Sequence, residues 1–149
     1  MNLEDQMLTD IERFSPRPKV IQDWEPIADI LSNAFPWKGS KIAWGQLDWH
    51  SAAPIDLSQT DCAAQLNAFL KTGDVLNALP DHEQIFYIND AALNVALSIR
   101  PEIFPEFLAY VVNDIPQHHY FFDLSGTWCF AVTAEGYVDF GGMAACADT

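Results

Sequence analysis

The chain has 149 residues, of which half are hydrophobic and 13% aromatic, and its seven basic and 21 acidic residues give a formal net charge of −14. The length fits one domain, and the hydrophobic content excludes an intrinsically disordered chain despite the charge. No apolar run approaches the roughly 18 residues of a membrane-spanning helix, and MNLEDQMLTDIERF at the start has acids where a secretory signal has Lys or Arg. We therefore expect one cytoplasmic domain over residues 1–149.

The first third of the chain predicts two helices and then short strands. Apolar residues share one helical face over residues 3–14, and two prolines follow. A second apolar stripe predicts a helix from about Val20 to Ala34, with Pro26 tolerated in its first turns. The segment KIAWGQLDWHSAAPIDLS, residues 41–58, predicts one or two short strands, because side chains at its start alternate between the two faces that a strand would have.

The middle of the chain predicts two further helices and a strand between them. QTDCAAQLNAFLKTG, 59–73, has an apolar stripe, and Ser58 or Thr60 is its expected cap. HEQIFYIND, 82–90, predicts a strand because it is β-branched and aromatic. ALNVALSIR allows a helix or a strand, whereas PEIFPEFLAYVVND, from residue 101, opens with the proline and acids that favour a helix.

The last ordered stretch, HHYFFDLSGTWCFAVTAEGYVDFGG at 118–142, predicts three antiparallel strands. Ser-Gly at 125–126 and Glu-Gly at 135–136 suit tight turns, since glycine accepts a positive φ. Trp128 and Phe130 then point to one face of the sheet, which we expect to be its core face. The whole chain thus predicts an α+β fold, with N-terminal helices packed on an antiparallel sheet that ends in a C-terminal three-stranded meander.

No pattern in the sequence specifies a metal, a cofactor or a catalytic residue. His118 and His119 are adjacent in a strand, so they point to opposite faces and cannot bind one ion without a bend. Cys129 lies between aromatic residues, and such a setting raises the pKa of a thiol instead of activating it. The glycine-rich phosphate motifs are also missing. We predict no catalytic residue, no metal and no cofactor.

The three cysteines are widely spaced and odd in number, and no CxxC pair occurs. This pattern is not typical of a disulfide framework or a zinc site, and it suits a reducing compartment. We expect Cys62 and Cys129 to be small core residues. Trp44 and Trp49 allow two interpretations, as core residues or as interface anchors.

The acidic charge is concentrated after the first 41 residues. From Ile42 onward there are 14 acids and two bases, Lys71 and Arg100, a net of −12 over 108 residues. Such a field repels nucleic acid and anionic membrane and speeds association with basic partners. A protein can also be this acidic only because the charge keeps it soluble. The charge therefore does not decide between binding of a basic partner and solubility alone.

In its overall character the chain resembles the immunity proteins of bacterial polymorphic-toxin and contact-dependent growth inhibition systems. The residues behind this resemblance are the hairpins HHYFFDLSGTWCFAVTAEGYVDFG, which follow the helix PEIFPEFLAYVVNDIP. The resemblance implies a cognate toxin as partner, and it transfers no functional residue.

These observations favour a cytoplasmic binding protein that inhibits a basic toxin. A nuclease is one possible toxin, because its phosphate-binding site must be cationic. Acidic side chains can then occupy phosphate positions and accept charge-assisted hydrogen bonds. We predict Asp123, Glu135 and Asp139 as charged contacts, with Tyr137 and Trp49 as aromatic anchors. Two alternatives stay open: a small enzyme that uses His or carboxylate chemistry, and an acidic adaptor or DNA-mimic protein.

Overall fold

The structure of the protein is a computed structural model that describes residues 3–39, 41–57, 62–72, 75, 84–89, 93–116 and 118–143. The helices in these ranges are α1 (Leu3–Asp10), α2 (Glu25–Ala34), α3 (Ala63–Thr72) and α4 (Phe104–Asp114). The strands are β1 (Lys19–Ile21), β2 (Trp37–Lys38), β3 (Lys41–Ile42), β4 (Trp49–Pro54), β5 (Ile85–Asn89), β6 (Ala96–Ile99), β7 (His119–Phe122), β8 (Trp128–Thr133) and β9 (Tyr137–Gly142).

Seven of these strands form one antiparallel sheet in the order β1-β6-β5-β7-β8-β9-β4. The other two, β2 and β3, pair with each other as a separate ribbon. The predicted meander is confirmed, and Gly126 and Gly136 have φ of 65° and 94° in its two turns. The α+β fold class is therefore as predicted.

The central strands of the large sheet are buried on both faces. One face packs against α1, α3 and α4, where Phe104 meets Phe121 and Phe130 edge to face with ring centroids 5.1 and 5.4 Å apart. The other face packs against α2 and the β2–β3 ribbon. Because of this double cover, all six residues of β8 are buried, including Trp128 and Phe130 as expected.

The predicted helix from Val20 to Ala34 is wrong in its first part. Lys19–Ile21 is β1, which pairs with β6 at the sheet edge, and α2 begins only at Glu25. The β-branched pair Val20 and Ile21 fits a strand, and Pro26 fits the first turn of a helix, where its missing N–H is not needed.

The other element predictions are mostly confirmed. The ambiguous segment ALNVALSIR contains β6, and the predicted strand at 82–90 is described over Ile85–Asn89. The first helix ends at Asp10 and continues as a 3-10 turn over Ile11–Arg13. The predicted caps Ser58 and Thr60 lie outside the described residues. No helix in the described ranges has both the length and the apolar character to cross a bilayer.

Candidate partner-binding site

The strand β4 forms one outer edge of the sheet, beyond β9, and most of its residues are exposed. The N–H of Ile55 donates to the carbonyl of Gly136 at 2.8 Å, which fixes the register of this pair of strands. Because hydrogen-bonding directions alternate along a strand, the backbone groups of His50 and Ala52 point away from β9. Such an edge can accept an extended chain from another protein.

The five predicted contact residues do not form one cluster. Glu135 and Tyr137 lie at the β8–β9 turn and are exposed, whereas Asp123 lies in the β7–β8 turn and is buried. The two turns are at opposite ends of β8, roughly 20 Å apart at about 3.3 Å per residue. Asp139 is a buried residue in the middle of β9, and Trp49 begins β4 at the far end from Tyr137.

The carboxylate of Asp123 is engaged inside its own turn. It accepts hydrogen bonds from the backbone N–H of Ser125 at 2.9 Å and from the Ser125 hydroxyl. The same hydroxyl contacts Oγ1 of Thr127 at 2.7 Å. This arrangement stabilises the hairpin turn, as aspartate side chains commonly do. A partner contact by Asp123 stays a prediction.

Asp139 is paired with a histidine on the neighbouring edge strand. Nε2 of His50 donates to Oδ1 of Asp139 at 2.8 Å, and the imidazole stacks on Trp44 with centroids 5.0 Å apart and planes at 14°. Burial raises the pKa of Asp139, and the hydrogen bond from His50 opposes that rise only in part. A Cβ at Gly141 would lie 3.2 Å from the Trp44 ring, so this glycine leaves the room that the stack needs.

Glu135 has an ion-pair partner that the sequence did not indicate. Oε2 of Glu135 lies 2.7 Å from Nζ of Lys41, and both side chains are about half exposed. The hydrogen bond from Lys41 lowers the pKa of Glu135, which is therefore ionised at neutral pH. An exposed pair of this kind contributes little to stability because solvent screens it, so a partner's cation can replace Lys41 at small cost.

Trp49 packs against the sheet and is also partly exposed, and its role as an interface anchor stays a prediction. Its ring packs edge to face on Phe140 with centroids 4.9 Å apart, yet 38% of the residue is exposed. A Cβ at Gly142 would lie 2.6 Å from Cζ2 of Trp49 and 2.1 Å from the carbonyl oxygen of Thr127. Glycine at this position thus lets the indole lie against the sheet while its outer part faces solvent.

Of the remaining titratable candidates, all but His118 lie in the core. His119 is buried, and desolvation lowers its pKa to about 4, while the half-exposed His118 accepts the N–H of Ala134 at Nδ1. Cys62 and Cys129 are buried as predicted, and burial raises the pKa of Cys129 above its usual range. Within the described part of the chain, no three His, Cys, Asp or Glu residues are grouped so that they could hold a metal ion.

His50 and Lys41 are site residues that sequence reasoning missed. They meet Asp139 and Glu135 only because β4 pairs with β9 and β3 lies over the sheet. Comparison with known proteins gives no family assignment: no protein-family model matches the chain, and a search of curated proteins found no match.

Proposed function

We propose that this protein is an acidic binding protein that inhibits a basic toxin by direct contact, as immunity proteins do. The proposed contact surface is the β4 edge, which consists of β4 and the β8–β9 turn. The observation that carries the proposal is an exposed sheet edge with an aromatic side chain at each end, Trp49 and Tyr137, in a chain of net charge −14. Exposed aromatic residues are the usual anchors of protein interfaces.

The electrostatics of the β4 edge favour a cationic partner. Asp48 and Asp56 flank β4 and are exposed, and Glu135 lies beside Tyr137. Lys41 is paired with Glu135 itself. A partner's Arg or Lys would therefore meet negative charge at both ends of the strand, which speeds association.

The backbone of β4 offers a second kind of complementarity. The N–H and C=O groups of His50 and Ala52 point outward, so an extended segment of a partner can pair with them. The small side chains of Ser51, Ala52 and Ala53 leave this edge sterically open. Pro54 lacks an N–H and limits the pairing at that end.

A small enzyme is the second candidate, and the His50–Asp139 hydrogen bond favours it. A carboxylate that orients an imidazole is a common general-base arrangement, and His50 is partly exposed. If the protein is an enzyme, His50→Gln should abolish its activity and leave the thermal unfolding transition unchanged.

The inhibitor proposal is tested by affinity capture from a bacterial lysate, with stepwise salt elution and identification of the eluted proteins. Two edge variants, Trp49→Ala and Tyr137→Ser, serve as baits beside the wild type. The matched control is Trp24→Ala, because Trp24 has the same 38% exposure as Trp49 but lies at the start of α2. Thermal unfolding of every bait checks that the fold is kept.

The expected result is a basic protein that the wild type and Trp24→Ala retain, that both edge variants lose, and that leaves at raised salt. Its toxicity in growing cells must then be relieved when this chain is produced with it. Retention of the same protein by both edge variants would place the interface elsewhere, and a captured protein that is acidic or harmless would contradict the inhibitor function.

A further inference from the structure

A cavity of about 330 Å³ opens between α2, β2 and the ends of β5 and β7. We propose that this cavity, here called the α2 pocket, binds an uncharged planar aromatic molecule with the size of two fused rings. The α2 pocket is separate from the β4 edge, because β8 and β9 lie between β7 and β4. Three strand spacings correspond to about 14 Å.

The walls of the α2 pocket combine aromatic and aliphatic side chains. Trp24 comes from the start of α2, Trp37 from β2 and Tyr120 from β7. Trp37 and Tyr120 are held edge to face, with centroids 5.8 Å apart, so these two walls have a fixed geometry. Leu31 and Ile88 add aliphatic surface. Aromatic and aliphatic walls of this kind favour a flat apolar ligand.

Among the residues that the structure describes, no charged side chain lines the α2 pocket, although 28 of the 149 residues are charged. The polar lining residues are Ser32, Asn89 and Asn94, of which Ser32 and Asn94 are exposed at the rim. A charged ligand would lose hydration there without an opposite charge to compensate it. A neutral ligand with one or two hydrogen-bonding atoms meets no such cost.

The volume of the α2 pocket sets the size of the ligand. An engineered apolar cavity of about 150 Å³ in another protein holds one benzene molecule. The α2 pocket has about twice that volume, which suits two fused rings. A ligand of about ten heavy atoms is expected to bind with a dissociation constant on the order of 0.1–1 mM.

The probe for this proposal is quinoline, which is neutral at pH 7 and has one hydrogen-bond acceptor. Its binding to the intact chain is measured by calorimetry and by NMR line broadening of the ligand. Ala28→Phe should weaken binding at least tenfold, because Ala28 lines the α2 pocket and a phenyl group there fills it. The matched control is Ala109→Phe on α4, at a residue that is also partly exposed.

Two further measurements keep the outcome independent of folding and test the charge argument. Trp24→Ala removes an exposed wall residue, so it should weaken quinoline binding several-fold while the unfolding transition stays in place. Quinoline-2-carboxylate, which has the same rings and a negative charge, should bind at least tenfold more weakly. Absence of saturable quinoline binding would overturn the proposal, as would equal affinity in Ala28→Phe and Ala109→Phe or equal binding of the carboxylate.

Discussion

The hydroxyl of Tyr87 lies 2.8 Å from Nδ1 of His119, and both side chains are buried. Burial raises the pKa of Tyr87 far above its usual value, so the hydroxyl stays protonated and donates to a neutral imidazole. Asn89 donates from Nδ2 to the carbonyl of Pro116 at 2.9 Å and lies 3.3 Å from the Tyr87 hydroxyl. This polar network joins β5 and β7 to the chain that follows α4.

The buried His119 makes the stability of the protein depend on pH. The pKa of His119 is about 4 in the folded protein, compared with 6.5 for an ordinary histidine, because desolvation disfavours the imidazolium. Between these values the unfolded state binds more protons, so the free energy of unfolding falls as the pH falls through this window. The expected loss due to His119 is about 2 kcal/mol between about pH 7 and pH 5.

The measurement is urea unfolding at both pH values for the wild type and for His119→Gln. The variant has lost the titrating group and should lose about 2 kcal/mol less than the wild type over the same interval. His118→Gln is the control, since the neighbouring His118 is only partly buried. An unchanged pH dependence in His119→Gln would show that other groups cause the effect.

Asp139 should tolerate loss of its charge better than loss of its hydrogen bond. Its raised pKa means that the ionised carboxylate destabilises the fold, a contribution that is absent in acid and develops as the pH rises through that pKa. Asp139→Asn can still accept from His50 and should leave the stability at neutral pH equal or raise it by up to about 1 kcal/mol. Asp139→Ala leaves Nε2 of His50 without this acceptor and should cost about 1–2 kcal/mol.

Gly142 is expected to be the least replaceable glycine near the β4 edge. A Cβ there would lie 2.1 Å from the carbonyl oxygen of Thr127 and 2.6 Å from Cζ2 of Trp49, so the strand and the indole must both move. Gly142→Ala should lower the free energy of unfolding by about 2 kcal/mol or more. Gly45→Ala is the control, because a Cβ at Gly45 meets nothing within 4 Å. Equal stability of the two variants would mean that Trp49 does not pack against β9.

Charge at the β8–β9 turn should affect the rate at which the partner binds. Glu135→Gln removes an exposed acid and frees Lys41, so association with the captured basic protein should be slower and less dependent on salt. Glu102→Gln is the control, since Glu102 is 56% exposed and is also ion-paired, with Arg100 at 3.5 Å. Stopped-flow association rates at several salt concentrations distinguish the two, and identical salt slopes would remove Glu135 from the interface.

The local pattern of the sequence was sufficient to predict the meander and most helices. Turn glycines at 126 and 136 and alternating side chains between them define the hairpins without long-range information. The start of α2 was predicted wrongly because an apolar stripe continues through Val20 and Ile21, and only pairing with β6 shows that these residues form a strand. Tertiary contacts decided between the two structures there.

The candidate site was less predictable than the fold, for a physical reason. Its side chains come from β3, β4 and β9, and the contacts of His50 with Asp139 and of Lys41 with Glu135 span 89 and 94 positions. Acids in the two turns looked equivalent in the sequence, but Asp123 is buried and bonded to Ser125, whereas Glu135 is exposed. Such differences depend on strand pairing and burial, which composition and spacing do not contain.

The most direct test of the central claim is a growth measurement in bacteria that produce the captured basic protein. The account predicts arrested growth without this chain, recovery with the wild type or Trp24→Ala, and no recovery with a Trp49→Ala, Tyr137→Ser double variant that is folded and present at the same level. Normal growth in the absence of the chain, or full recovery with the double variant, would contradict it.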